Sequence, residues 1–269
     1  MLEKQTVCLR QLGGNRAGEM RLGRWLSNEQ VTHDELIENI TLKGIESTQG
    51  RHILGIQDTT EVNYQAHAAR IIGGLGTVGN GKDLGFFMHP MLLVDAELET
   101  CLGLGAIKTW VRTTQARKDY SKQPIEEKES FRWLAAAEQT KKNLTEASML
   151  TIIADRESDI YEEWDRIPNQ KTQMITRCCR DRKLSTGVML YTHVKNLEIS
   201  GLYEFEVKAR VGKRSAHKAR LEIRFGEVEI KRPKNCLDKN TAKSIKLYVI
   251  DVKESSSSRS IILGFLDNW

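Results

Sequence analysis

Two short acidic segments, 97 positions apart, each follow an apolar, strand-like run. The first reads His52-Ile53-Leu54-Gly55-Ile56-Gln57-Asp58-Thr59-Thr60. The second reads Met149-Leu150-Thr151-Ile152-Ile153-Ala154-Asp155-Arg156-Glu157-Ser158-Asp159. A carboxylate at the end of a buried strand is poorly solvated and rigidly placed. Two of them on neighbouring strands can share divalent metal ions, which activate a water or hydroxyl and stabilise the leaving oxygen of a phosphodiester. The residue types therefore point to metal-assisted phosphoryl transfer on nucleic acid. A plainer role exists for each residue. Asp starts turns and caps helices, so Asp58 can be an ordinary strand exit and Asp155 can open the helix that follows. The charge cluster Asp155-Arg156-Glu157, with Asp159 one turn on, weighs toward chemistry.

The elements that would position these acids can be read from hydrophobic periodicity. Residues 15 to 47 read as helical, with Met20, Leu22, Trp25 and Leu26 beside Arg16, Arg21 and Arg24, and with a capping box at Thr32 and Glu35. Residues 52 to 111 read as strands. The glycine-rich run Gly73 to Gly81 lacks the Gly-Lys-Ser/Thr ending of a phosphate loop and reads as a hairpin connection. A helix is expected from Pro124, then a strand over 149–154, a short helix over about 158–166 and a strand over 172–178. Residues 201 to 252 alternate as strands. Strand-strand-strand-helix-strand-helix-strand is the order of a ribonuclease-H-like fold, in which the first and fourth strands are adjacent and parallel. The mapping puts Asp58 and Asp155 at the ends of those two strands. The expected architecture is thus α/β: a ribonuclease-H-like mixed sheet with a small N-terminal helical unit and a β-rich insertion. Its divisions are a helical DNA-binding unit at 1–48, a catalytic core at 49–200, the insertion at 201–254 and an atypical tail at 255–269.

Bulk properties bound the partners. Charged residues make up 29% of the 269 and no run of 18 apolar residues occurs, so no membrane span is expected. The N-terminus lacks the apolar core of a signal peptide, which points to the cytoplasm. Five cysteines without Cys-x2-Cys spacing argue against a zinc or disulfide framework. The net charge of +5 is modest, but its distribution is uneven. Lys208, Arg210, Lys213, Arg214, Lys218, Arg220, Arg224, Lys231, Arg232 and Lys234 face only Glu222, Glu227 and Glu229 along the same stretch. Arg177, Arg180, Arg182 and Lys183 form a second cluster. These are either two solvated faces or a surface that tracks phosphates.

Beyond these patterns, the chain resembles bacterial insertion-sequence transposases of the DDE class, in the branch containing the transposon-five enzyme. The resemblance runs from about Arg16 to about Glu254. It is carried by Gly18-Glu19-Met20-Arg21-Leu22-Gly23-Arg24-Trp25-Leu26, by Gln57-Asp58-Thr59-Thr60, by Gly85-Phe86-Phe87-Met88-His89, by Glu127-Lys128-Glu129-Ser130 with Trp133-Leu134-Ala135-Ala136-Ala137, and most specifically by Asp155-Arg156-Glu157-Ser158-Asp159-Ile160-Tyr161. What the resemblance implies is cut-and-paste transposition. Water opens the phosphodiester at a transposon end, the freed 3′-hydroxyl forms a hairpin, and the reopened end attacks target DNA. Three carboxylates hold two Mg²⁺ or Mn²⁺ ions, and Asp58 and Asp155 match the first two. Arg177 matches a basic position that faces DNA. Arg21, Arg24, Arg180, Arg182, Lys208, Arg210, Lys213 and Arg214 complete the expected DNA-contacting set, with terminal repeats and target DNA as partners and a nucleoid-associated location.

The departures carry expectations of their own. The family's third carboxylate sits in the pattern Tyr-x2-Arg-x3-Glu-x6-Lys. None of Tyr64, Tyr120, Tyr161, Tyr191, Tyr203 and Tyr248 has Arg three residues later. The family's dimerisation helices, which follow that pattern, are missing as well. Tyr161 stands where histidine is usual, which is expected to alter a local DNA contact. The chain is therefore expected to bind DNA and to be catalytically incomplete as a C-terminally truncated transposase. The alternative is a DNA-binding remnant or inhibitor without catalysis. A phosphatase that uses Asp58 as nucleophile would need a second Asp two residues on, where Thr60 stands.

Overall fold

The computed structural model describes residues 6–70, 73–112, 123–212, 214–255 and 260–266. The chain opens with α1 (Leu9–Gly13), α2 (Arg16–Leu26) and α3 (His33–Glu46). Asn15 caps α2 by accepting from the Gly18 N–H. Thr32 and Glu35 make the reciprocal capping box on α3, satisfying N–H groups that a helix start leaves without partners. The strands β1 (His52–Gln57), β2 (Thr60–Asn63), β3 (Gly76–Thr77), β4 (Leu84–Asp95) and β5 (Cys101–Trp110) come next. Then follow α4 (Phe131–Asn143), β6 (Met149–Ala154), α5 (Tyr161–Arg166), β7 (Thr172–Cys178) and α6 (Leu190–Lys195). The chain closes with β8 (Gly201–Val207), β9 (His217–Lys231), β10 (Ser244–Glu254) and β11 (Ser260–Leu266).

The eleven strands among the described residues join one mixed, mostly antiparallel sheet in the order β2-β4-β1-β6-β7-β11-β10-β9-β8, with β3 and β5 also paired to β4. Two neighbouring pairs, β1 with β6 and β6 with β7, are parallel. The faces of the sheet differ. On one, Leu93, Ile152, Met174, Leu266 and Leu247 lie in a single buried cluster that also takes Leu134 and Ala137 of α4, Trp164 of α5 and Leu190 and Val194 of α6. On the other, Leu92, Ile56, Ile153, Ile175, Phe265 and Tyr248 follow one cross-strand row over six strands. That row is only half-buried, with Ile56 37% and Tyr248 40% exposed.

Two expectations change here. A continuous helix does not begin at Pro124. Ile125–Glu127 is a short 3-10 turn, Lys128 is extended, and the helix proper is α4, starting at Phe131. Ile125 is buried with Trp133, Ala154 and Ile160, so the chain folds back on α4 before entering it. The stretch set apart as an atypical tail supplies β11, which pairs with β10 on one side and β7 on the other. Strands of the 201–254 stretch therefore continue the sheet of the 49–200 stretch through a strand from the end of the chain.

The N-terminal helices dock through glycine. Gly44 of α3 packs on β5 so closely that a Cβ there would lie 2.7 Å from the Leu104 carbonyl oxygen and 2.9 Å from its nitrogen. Backbone cannot yield as a side chain would. We expect Gly44→Ala to cost about 1–3 kcal/mol, the usual range for overpacking. It should also release residues before 48 to limited proteolysis ahead of the sheet. Urea unfolding with proteolytic mapping checks both, and an unchanged midpoint would refute the close-packing account.

Candidate active site

Asp58 and Asp155 each directly follow one of two adjacent parallel strands. The register pairs Ile56 with Ile153, and two further steps along both strands bring Asp58 opposite Asp155. The next register pairs Ala154 with Thr176, so one further step brings Asp155 opposite Arg177. Both aspartates and Arg177 are exposed. Each acid is held by a nearby backbone N–H: Thr59 donates to Asp58 Oδ1 at 2.7 Å, and Glu157 donates to Asp155 Oδ1 at 2.7 Å. The plainer role is thus also filled, since Asp155 caps the 3-10 turn Arg156–Ser158. Neither carboxylate has an ion-pair partner among the described residues.

Beneath the acids runs a buried polar relay that the sequence patterns do not single out. Arg132 of α4 donates from Nε to Thr59 Oγ1 at 2.9 Å. Thr59 Oγ1 lies 2.9 Å from His89 Nδ1, and His89 Nε2 lies 3.2 Å from Gln57 Oε1. Gln57 Nε2 donates to Glu163 Oε1 at 3.0 Å, and Glu163 Oε2 meets Ser158 Oγ at 2.6 Å. The Gln57 amide fixes the directions. Its N–H₂ serves Glu163, so its oxygen must accept from His89, which then accepts from the Thr59 hydroxyl at Nδ1. His89 is fully buried, and burial, with Arg132 and Lys108 nearby, lowers its pKa to about 3. Glu163 is also fully buried, and burial raises its pKa to about 8 against the hydrogen bonds from Ser158 and Gln57. At neutral pH both are uncharged. The sequence signal was available in kind: Arg132 interrupts the apolar run Phe131 to Ala137, and Glu163 sits beside Trp164. A charge on the buried face of a helix must find a partner.

The expected basic set divides. Arg21, Arg24, Arg177, Arg180, Lys208, Arg210 and Arg214 are exposed. Lys213 lies outside the described residues. Arg182 is a correction, being 7% exposed. Its Nε donates to Asp159 Oδ1 at 2.8 Å, its Nη2 also bonds that oxygen and the Asp159 carbonyl, and its guanidinium lies 4.4 Å from the Trp164 ring centroid. Asp159 in turn accepts from the N–H groups of Cys179 and Arg180 at 2.8 Å each. The pair is internal, so Arg182 is withdrawn from any DNA face and Asp159 from the acidic cluster. Tyr161 is likewise buried, its hydroxyl donating to the Ala242 carbonyl at 3.2 Å. Packing rather than a surface contact is its role here. Along the 208–234 stretch, Arg224 pairs with Glu222 at 2.8 Å, and Arg232 donates to the Thr241 carbonyl at 2.8 Å. Both are structural.

No model of a known protein family matches the chain. Among solved structures, it is weakly similar to the cryo-EM structure of the piggyBac transposase synaptic complex with hairpin DNA, at a TM-score of 0.38 and 12% identity. The match covers 90% of this chain and 41% of that one, so the chain spans about two fifths of that protein's length. A likeness at that level leaves the reading of the site to its own residues. Among the described residues, no helix is long and apolar enough to cross a membrane.

Two outcomes test this site. Asp159→Asn leaves the Arg182 charge buried without its counter-charge and should cost about 3–5 kcal/mol in denaturant unfolding. The exposed Asp155→Asn should cost no more than about 1 kcal/mol, the worth of a cap; equal costs would contradict the division between them. Glu163 gives a pH signature. Its folded pKa of about 8 stands above the ordinary glutamate value of 4.5. The unfolded chain therefore loses this proton first, and the group's contribution to stability falls as pH rises from about 4.5 to about 8. Glu163→Gln should remove that slope, so the stability difference, wild type minus variant, should decline across the window and level off above it. A flat difference would mean that Glu163 is ionised in the fold.

Proposed function

We propose that this chain is a DDE-type DNA transposase of the cut-and-paste kind in ancestry and fold, that it binds DNA through exposed cations, and that its acidic site is incomplete for cleavage. The observation that carries the reading is the row formed by Asp58, Asp155 and Arg177 at the ends of three parallel strands. The wider sheet agrees with it: β4 lies antiparallel beside β1, and β6 and β7 follow parallel on the other side. These pairings support the proposed ribonuclease-H-like core, for which the sequence leads one to expect the first and fourth strands adjacent and parallel. The sequence resemblance, strongest at Asp155-Arg156-Glu157-Ser158-Asp159, supplies the reaction class.

The donor set fits a loosely held Mg²⁺ or Mn²⁺. Such ions are commonly bound through one or two carboxylates, with water and substrate phosphates completing the sphere. Asp58 and Asp155 would be the protein's ligands. A bound ion there would activate the attacking water or hydroxyl and offset charge on the leaving oxygen. Arg177, exposed beside Asp155, is suited to hold a phosphate oxygen, and Lys208, Arg210 and Arg214 at the turn after β8 are further exposed cations. Arg21 and Arg24 on α2 are exposed as well. The second reading, a DNA-binding remnant or inhibitor without catalysis, is favoured by one observation. The donor set at this edge is two carboxylates, Asp58 and Asp155, where the resemblance calls for three.

The expected behaviour is DNA binding without cleavage. Fluorescence anisotropy should show affinity that falls steeply with salt. Charge reversal at Arg177, Lys208 and Arg210 should flatten the salt slope by about 1 for each phosphate no longer neutralised; an unchanged slope would reduce these residues to a solvated face. In Mg²⁺ or Mn²⁺, family-type terminal repeats should stay intact. Specific nicking that disappears in Asp58→Ala would show a complete site and overturn the inactive reading.

A further inference from the structure

Resting on that reading of Asp58 and Asp155 as metal ligands, we propose that Arg132 is the residue that sets the spacing between them. Its guanidinium reaches both acidic turns at once. Nε donates to Thr59 Oγ1 at 2.9 Å, and Nη2 donates to Glu157 Oε2 at 2.6 Å. Thr59 and Glu157 are the two residues whose backbone N–H groups hold the carboxylates, Thr59 on Asp58 Oδ1 and Glu157 on Asp155 Oδ1, each at 2.7 Å. The same construction thus occurs on both sides of one planar cation: a prong to a side chain, and that residue's N–H to an acid.

The cation itself is fixed. Arg132 is 8% exposed. Its Nη1 donates to the Glu129 carbonyl of its own segment at 2.9 Å, and its carbon lies 5.3 Å and 5.7 Å from the ring centroids of Trp110 and Trp133. A guanidinium held on three edges and flanked by two rings behaves as a rigid spacer. Its charge is matched by Glu157, so it steadies the acids without presenting a bare cation beneath the metal. Lysine could keep the charge but not the fork, because an ammonium on a flexible stem cannot hold two acceptors at a fixed separation. Arg132 touches neither acid nor substrate; it is a positioning residue.

The test is Mn²⁺ binding to the full chain, read by electron paramagnetic resonance, with Asp58→Ala and Asp155→Ala as controls. Arg132→Lys should weaken binding about 10- to 100-fold, the usual effect of losing a group that orients metal ligands, while circular dichroism stays native. Thr59→Val removes one acceptor while leaving Arg132 in place. It should weaken binding in the same direction, and it decides the matter if Arg132→Lys does not fold. Mn²⁺ binding that needs both aspartates but is unchanged in Arg132→Lys and Thr59→Val would overturn the positioning role and leave the metal reading standing. Binding that is indifferent to Asp58 and Asp155 would overturn both.

Discussion

The parallel pairing of β1 with β6 is the constraint on which the rest of the candidate site depends. Parallel strands cannot be joined by a tight turn, so the chain must make a long crossover between them. In return, both strands end at the same edge of the sheet. The register is fixed from below. Ile53 and Gln57 of β1 and Leu150 and Ile152 of β6 are buried, while Ile56 and Ile153 point to the half-buried face. A slip of one residue would exchange the faces, turn Gln57 outward and break its bond to Glu163. The register that seals the core is therefore the register that brings Asp58 opposite Asp155.

The polar relay adds specificity that apolar packing cannot. Apolar groups tolerate small shifts, whereas each donor from Arg132 to Glu163 has one acceptor at a fixed distance, and a half-satisfied network in a low-dielectric interior is costly. Its electrostatics suit the place. Glu163 and His89 are both neutral near pH 7. The one charge in the relay, Arg132, is offset by Glu157, and Glu129 beside it is bound by Arg112 at 2.6 Å. The ground under the acids is thus close to balanced, so the charges at this edge are set by the exposed Asp58 and Asp155 and by Arg177 beside them.

Local features were legible in the sequence, and features set by distant partners were not. The Thr32–Glu35 capping box and the strands at 149–154 and 172–178 depend on neighbouring residues, and pattern alone finds them. The false helix start at Pro124 came from local signals that were sound in type. Tertiary burial of Ile125 beside Trp133 diverted the chain first. β11 was passed over because its place is defined by β7 and β10, which no local pattern reveals. The relay is the same case: Gln57, His89, Arg132 and Glu163 come from four separate elements. Only the anomaly of a charge within an apolar run marks Arg132, and only its neighbour Trp164 marks Glu163.

The basic clusters show why net charge is a poor guide to a binding face. In sequence, Arg177, Arg180 and Arg182 look equivalent. In the fold, strand alternation turns Arg177 outward, and beyond the strand Asp159 draws Arg182 inside. Downstream, Arg224 is held by Glu222 and Lys218 by Glu204 at 2.6 Å. Each internal or paired cation is neutralised where it stands and contributes little field at a distance. The cations left without ion pairs among the described residues include Arg177 near the end of β7, Arg180 just beyond it, and Lys208 and Arg210 after β8. Arg177 belongs to the same edge of the sheet as Asp58 and Asp155. An anionic polymer drawn to that edge meets a cation directly beside the acids, and the acids alone would repel it. This juxtaposition of opposite charges is what the proposed holding of a phosphate beside a metal ion would need, and it follows from the register of three parallel strands.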